Sequence, residues 1–339
     1  MNRKWLTSNV GSVVLICVLF VLPLLWKSTY WIHVLILTGL NVLLAVSLRA
    51  FSRLGQVSIG TAGFMLLGAY SSALLAKYLG LSFWITLFLG GLLAAVVALA
   101  AGYPFLKAKG IYFAILSWIL AEVCRLTAWY WSSLTGGSTG LQKIPPPDPI
   151  NILGLTTLTF NTKTTYYYLM LVIVIVCLVI LYRLERSWLG LMWSAIREAD
   201  NLAQSVGINI MGHKMLIFSV TAFFMGIAGS LYAHYMGTLS PYGEPGSVFS
   251  FTASIYVLIY VVVGGETRFA GPIIGAVLLT VIPELVRTLR EYMPLIFGGL
   301  LILVIFLIPD GIAGLGALFS RCCGKAVRYL IRKPITIKG

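Results

Sequence analysis

Long apolar runs separated by short polar turns set the plan of this chain. A helix needs about 20 apolar residues to cross a bilayer. Ten runs qualify, at roughly 10–26, 30–48, 56–77, 82–106, 111–131, 165–182, 214–237, 249–264, 270–288 and 292–308. Gly or Pro interrupts the third and ninth runs, which predicts broken or re-entrant helices there. Most connections are short, as in a compact bundle. The fold class expected is an all-α polytopic membrane protein of about ten transmembrane helices. A permease domain spans 1–320, and a basic tail follows at 321–339. Met1-Asn2-Arg3-Lys4 and the apolar run after it resemble a signal peptide, but no small-x-small cleavage site follows. That pattern predicts an uncleaved first crossing.

Composition makes the membrane assignment firm. Of 339 residues, 59% are hydrophobic and only 10% charged, against about 25% charged in soluble domains. A cytosolic enzyme, a disordered chain and a secreted disulfide scaffold are excluded. The five Cys show no CxxC spacing, and three lie in apolar runs, where a thiol acts as a small hydrophobe. The net charge of +14 would suggest nucleic acid in a soluble protein. Here its placement matters more than its sign. With the N-terminus inside, 17 Lys and Arg fall in cytoplasmic segments and 6 outside. That asymmetry predicts both termini cytoplasmic and no nucleic-acid partner.

Several chemistries lack their residues. A Walker A loop needs G-x-x-x-x-G-K-[ST] to cradle phosphates. Gly324-Lys325 is followed by Ala326 and preceded at the required spacing by Phe319, so the chain has no nucleotide site of its own. Of the three His, only His33 and His234 fall within apolar runs, and hydrogen bonding explains them better than haem ligation. The ten acidic residues are scattered, with Glu198 and Asp200 the closest pair, so a magnesium-dependent transferase is not supported. The chain is expected to be no enzyme and to hold no metal or cofactor.

Other patterns point to transport. Small residues recur at helical spacing in Gly90, Ala94, Ala98 and Gly102, in Gly68, Ser72 and Ala76, and in Ala222, Gly226 and Ser230. Such stripes let helix backbones approach closely. Gln56, Ser58, Thr61 and Gly63 sit in a Gly-rich stretch after a basic turn, and Gly264 to Gly275 has a similar make-up. Gly- and Pro-interrupted apolar segments in both halves mark a transporter's working region. Glu122 and Arg125 lie within the fifth run at i,i+3 spacing, so they can pair on one face. Outside the membrane, 132–164 is a periplasmic loop whose Thr135, Gly136, Gly137, Ser138 and Gly140 are candidates for a gate or a binding-protein contact. Inside, 190–209 carries Trp193, Ile196, Ala199 and Ala203 at three- and four-residue spacing. Glu198 and Asp200 stand beside that stripe, and Gly207 is placed to end the helix. The stripe suits helix-in-groove docking to another subunit. Arg321, Lys325, Arg328 and Arg332 predict a tail lying on the cytoplasmic leaflet.

LGQVSIGTAGFMLLGAY at 54–70, the stretch from Lys109 to Pro147, SAIREADNLAQSVGINIMGHKMLIFSVTAFFMGIAGSLYAHYMGTLSP at 194–241, VVVGGETRFAGPIIGAVLL at 261–279 and PDGIAGL at 309–315 together resemble one family. It is the M-type, or LivM, family of permease subunits from branched-chain amino acid ABC importers. The resemblance covers most of 40–315 in order. It implies a multi-pass permease of the bacterial inner membrane that works with a second, H-type permease, two cytoplasmic ATP-binding subunits and a periplasmic substrate-binding protein. ATP and Mg would be used by the partner subunits. It also implies that 190–209 couples to the ATPase. Two sites depart from the family pattern. Glu266 and Arg268 charge a turn that is usually nearly neutral, and Thr61 stands where His is frequent. Related permeases carry urea, amides or sugars, and the remaining alternatives are an ion-coupled secondary transporter with Glu122 as its proton or ion site and an interaction-only membrane scaffold.

Overall fold

A computed structural model describes residues 28–152, 156–160, 162–242, 247–285 and 292–307, with 20, 23, 311 and 312 singly. The predicted first crossing at 10–26 and the basic tail lie almost wholly outside the described residues, as do Arg287 and Arg290. Among the described residues six helices are long and apolar enough to cross a bilayer. They are α1 (Thr29–Ser52), α2 (Thr61–Leu79), α3 (Phe83–Phe105), α4 (Ile111–Tyr130), α6 (Lys163–Arg186) and α9 (Ile210–Met236). Three shorter apolar helices follow, α10 (Phe251–Gly264), α11 (Ala270–Leu285) and α12 (Met293–Leu307). The remaining helices are short, with α5 at Ser132–Thr135, α7 at Trp188–Glu198 and α8 at Asp200–Ser205.

Local signals account for many of the ends. Thr162, Ser187, Asn209 and Ser250 each accept a backbone N–H from the first turn of the helix they precede. Gly80 and Gly237 close α2 and α9 in the left-handed conformation. The two expected interruptions resolve differently. In the third run the break comes at the start, since the helix begins only at Thr61 and then runs unbroken. In the ninth, α11 is continuous over its described length, Ala270–Leu285, although Pro283 lies inside it near that end. Pro272 sits in its first turn, where the missing N–H has no helical partner to lose.

The interior belongs to α1, α2 and α9. Of α9's apolar window 78% is buried, against 22% for α4, which lies at the periphery. Helices α2, α3 and α9 pack together, and the small-residue stripes read from the sequence meet in that contact. A Cβ on Gly226 would lie 2.8 Å from the Ala94 methyl and 2.9 Å from Gly91 Cα. A Cβ on Gly68 would fall on the Gly226 backbone. The Ser230 hydroxyl crosses the gap to donate to the Gly68 carbonyl at 3.1 Å. The tight three-helix core therefore follows from three sequence stripes. A second close crossing joins α10 to α11, where Gly264 and Gly275 face one another without side chains. This pair packs on α1, and α12 packs on α10.

The chain's two ends differ in chemistry. One carries Arg49, Arg53, Lys107, Lys109, Arg186, Arg197 and Lys214, and is called the basic end below. The other carries the loop from Ser132 to Thr162. In that loop β1 (Leu141–Gln142) pairs antiparallel with β4 (Thr238–Leu239), and β2 (Ile150–Ile152) pairs with β3 (Thr156–Leu158).

Candidate functional site

Three groups of sequence-predicted residues lie at three levels of the bundle. The first group is the broken entry to α2. Residues 56–60 have no regular secondary structure and pass beside α4, where Ile59 N–H donates to the Ser117 hydroxyl at 2.9 Å. Ser117 is the seventh residue of α4, about 9 Å along that helix. Helix α2 therefore starts nearly two turns along α4 rather than level with its first residue. Its backbone is satisfied by protein, as membrane depth requires. Gly60 N–H reaches the Ser58 hydroxyl at 3.2 Å, and Ala62 N–H reaches the Ser254 hydroxyl at 3.0 Å. The Gln56 amide donates to the Ala108 carbonyl at 3.2 Å, while its oxygen has no partner. Gly63 lets α2 approach α4, since a Cβ there would lie 2.5 Å from Ala121 Cα. Thr61 is buried, and its hydroxyl has no hydrogen-bond partner.

The second group is at the loop end. Glu122 and Arg125 form the expected ion pair. Arg125 has a further partner that the sequence did not suggest, donating to the Pro241 carbonyl at 3.1 Å. The pair thus ties α4 to the chain that follows α9. The Gly-rich loop is more internally bonded than an open gate. Thr135 is buried and donates to the Ala128 and Trp131 carbonyls at 2.6 and 2.7 Å. Gly136, Gly137 and Gly140 all adopt positive φ, at 79°, 58° and 72°. Those angles allow the tight bend that brings Leu141 opposite Leu239. Ser138 remains exposed. His234 Nδ1 donates to the Pro145 carbonyl at 2.8 Å, leaving Nε2 to meet the Ser72 hydroxyl at 3.0 Å. His33 bonds Tyr235 at 2.6 Å. Both intramembrane His thus have protein partners, and among the described residues no group of three or more His, Cys, Asp or Glu is placed to hold a metal ion.

The third group, at the basic end, differs most from the sequence reading. The expected single helix over 190–205 is two helices, because Ala199 is extended at φ −157° and ψ 94°. The apolar stripe does not face outward. Trp193, Ile196 and Ala203 are buried in the chain's own core, with Trp193 at 0% exposure. Helix α7 lies against α6 and α9. The stripe that looked suited to docking seats α7 and α8 on the permease itself. Outward-facing positions are Leu191, Glu198, Leu202 and Val206, and the exposed Gly207 turns the chain into α9 at φ 87°. The sequence signal for that face is apolar residues out of phase with the buried stripe.

Charged side chains lock these two helices down, an arrangement sequence spacing could not reveal. Arg49 pairs with Glu185 at 2.5 Å, both nearly fully buried, and its Nε donates to the Glu266 carbonyl at 2.9 Å. Arg197 on α7 reaches the Glu266 carboxylate at 3.0 Å. Arg53 donates to the Ser194 hydroxyl at 2.9 Å. Asp200 lies between Lys109 and Lys214, at 3.2 and 3.4 Å. Glu266, a departure from the expected neutral turn, is therefore the residue through which α7 meets the α10–α11 turn.

A non-helical entry to a long apolar helix, a tethered loop and an amphipathic helix pair pinned to one end fit a permease. Comparisons with known proteins agree. Residues 30–308 match the family model described as branched-chain amino acid transport system / permease component. The high-affinity branched-chain amino acid transport system permease protein LivM of Escherichia coli K12 is 32% identical over 298 residues, 83% of this chain and 67% of that protein. The same-named protein of Salmonella typhimurium LT2 is 33% identical over the same shares. The LivH permease of Salmonella typhimurium is 31% identical over 140 residues, 40% of this chain and 42% of its own length. No solved structure matches the chain significantly. With a family match that takes in every long crossing from α1 to α9, the chain belongs to the branched-chain amino acid transport permease family.

Proposed function

We propose that this chain is a transmembrane permease subunit of an ATP-driven importer and forms part of the path for branched-chain amino acids across a bacterial inner membrane. The observation that carries the reading is the likeness to LivM over 83% of the chain. Partial likeness to LivH supports pairing with a second, H-type permease. On this reading the basic end is cytoplasmic, as the distribution of Lys and Arg favours, and both termini lie inside. Two ATP-binding subunits bind ATP and Mg and dock on the outward face of α7 and α8, at Leu191, Leu202 and Val206. A periplasmic binding protein delivers solute at the loop around Gly136 to Gly140.

The arrangement gives each part a task. ATP binding in the partners moves α7, and Arg197 passes that movement to the α10–α11 turn through Glu266. The buried Arg49–Glu185 pair holds the ends of α1 and α6 as a fixed frame. Glu122 and Arg125 act as an interhelical clamp, since a carrier's proton site must shed its proton each cycle and a permanent Arg partner opposes that. The test is co-purification followed by reconstitution. Expected is a stable complex with two nucleotide-binding subunits that accumulates leucine, isoleucine or valine only with ATP. Uptake of urea or a sugar in place of these would replace the substrate. Uptake by the lone chain, driven by an imposed pH gradient and abolished by Glu122→Gln, would replace the mechanism.

A further inference from the structure

Beside the broken start of α2 lies a cavity of ≈ 160 Å³. That is roughly ten times the space that admits one water. Its walls come from α1, α2, α10 and α11, with Tyr232 of α9 and the residues just before α10, so it lies within a single permease chain. Asn41, at the middle of the 24-residue α1, places it near the bilayer midplane.

Three features of the walls select a class of occupant. First, among the described residues no Asp, Glu, Lys or Arg lines the cavity, so it suits a solute without net charge. Second, one wall is aliphatic, with Leu40, Leu44, Met65 and Val257. Third, polar side chains line it as well. The Thr61 hydroxyl there is buried at 1% exposure and has no partner, although a buried hydroxyl ordinarily has one. Thr61 opens α2, a 19-residue helix whose N-terminus carries the positive end of the helix dipole. Asn41 already donates to the Thr280 hydroxyl at 3.2 Å, so it braces the wall between α1 and α11. An unanswered hydroxyl at a helix N-terminus is a place for a carboxylate, and the aliphatic residues lining the same cavity are a place for a branched side chain.

We propose that this cavity is a station for the transported solute inside the permease. It takes a zwitterionic amino acid with a branched aliphatic side chain, its carboxylate accepting from the Thr61 hydroxyl. The proposal rests on the importer reading above and locates within it a site that selects for solute chemistry.

Photo-leucine, which carries a diazirine on a leucine-like side chain, tests it in the complete reconstituted importer with binding protein and ATP. The expected adducts map to Leu40, Met65 or Val257, and excess leucine removes them. Thr61→Val keeps the shape but removes the hydroxyl, and should lower labelling and uptake by about tenfold, the effect of one hydrogen bond to a charged group. Thr61→Ser should restore both. If the wild-type complex takes up leucine with ATP while adducts fall only outside the cavity, the station is wrong and the importer reading stands. Undiminished labelling in Thr61→Val would likewise overturn the station alone. If the wild-type complex takes up no leucine, the importer reading fails and the station fails with it.

Discussion

The two ends of the bundle are held together by different means. At the loop end, side chains mostly bind backbone: Lys77 donates to the Gln142 carbonyl, the Phe83 N–H to the Asp148 carboxylate, His234 to the Pro145 carbonyl and Arg125 to the Pro241 carbonyl. At the basic end, side chains mostly bind side chains, and most are charged. Glu185, Glu266 and Asp200 each take a partner from another element. Backbone partners fix a loop's register. Charged side chains on long stems can exchange partners as helices shift, and exposed pairs among them contribute little stability. The contrast assigns a fixed frame to the loop end and the moving contacts to the basic end, with Arg49–Glu185 as a buried exception that anchors the movement.

The largest expected effect comes from that exception. Arg49→Met leaves Glu185 buried without its partner and should cost about 3–5 kcal/mol. Thermal unfolding in detergent would show it, and pairing the change with Glu185→Leu should recover most of the loss. Next is the three-helix core that joins the ends. Gly226→Val places methyls against Ala94 and Gly91, and overpacking of this kind costs about 1–3 kcal/mol. The same melt measures it, and no suppressor among charged residues should repair it. At the loop end, His234→Leu removes the bond to Pro145 and the one to Ser72. A loss of about 1–2 kcal/mol is expected, with faster amide exchange confined to residues 141–148 and no dependence on salt. The smallest stability change should follow Glu266→Gln. Its pair with Arg197 is half exposed and is expected to contribute no more than about 1 kcal/mol, screened further by salt. Yet uptake per ATP hydrolysed should fall, which the other three changes do not predict for correctly folded protein. If Glu266→Gln left that ratio untouched, Glu266 would be a local brace and the basic end would lose its assigned contact.

The sequence was informative where the bilayer imposes its own rule. Crossings need long apolar runs, so α1, α3, α4, α6 and α9 lie where the runs place them. Close packing needs small residues at helical spacing, so the stripes on α2, α3 and α9 announced their contact. The pairing of Glu122 with Arg125 followed from i,i+3 spacing. What stayed hidden depends on chain distant in sequence. An amphipathic stripe reveals that a face is covered and says nothing of what covers it. The Trp193 stripe therefore pointed to a partner subunit until the bundle filled that place. Likewise, Glu185 and Glu266 carry no mark in the sequence that pairs them with Arg49 and Arg197, 136 and 69 residues away. The cavity beside Thr61 needs five helices to exist.

The measurement that bears most directly on the basic end as the site of ATP coupling is a cysteine crosslinking scan from Trp188 to Val206 in the assembled importer. Adducts to the ATP-binding subunits should appear at Leu191, Leu202 and Val206, change in yield between nucleotide-free and ATP-bound complexes, and be absent at Trp193, Ile196 and Ala203. Adducts concentrated at those three buried positions, or none anywhere in the scan, would contradict a coupling role for the outward face of α7 and α8.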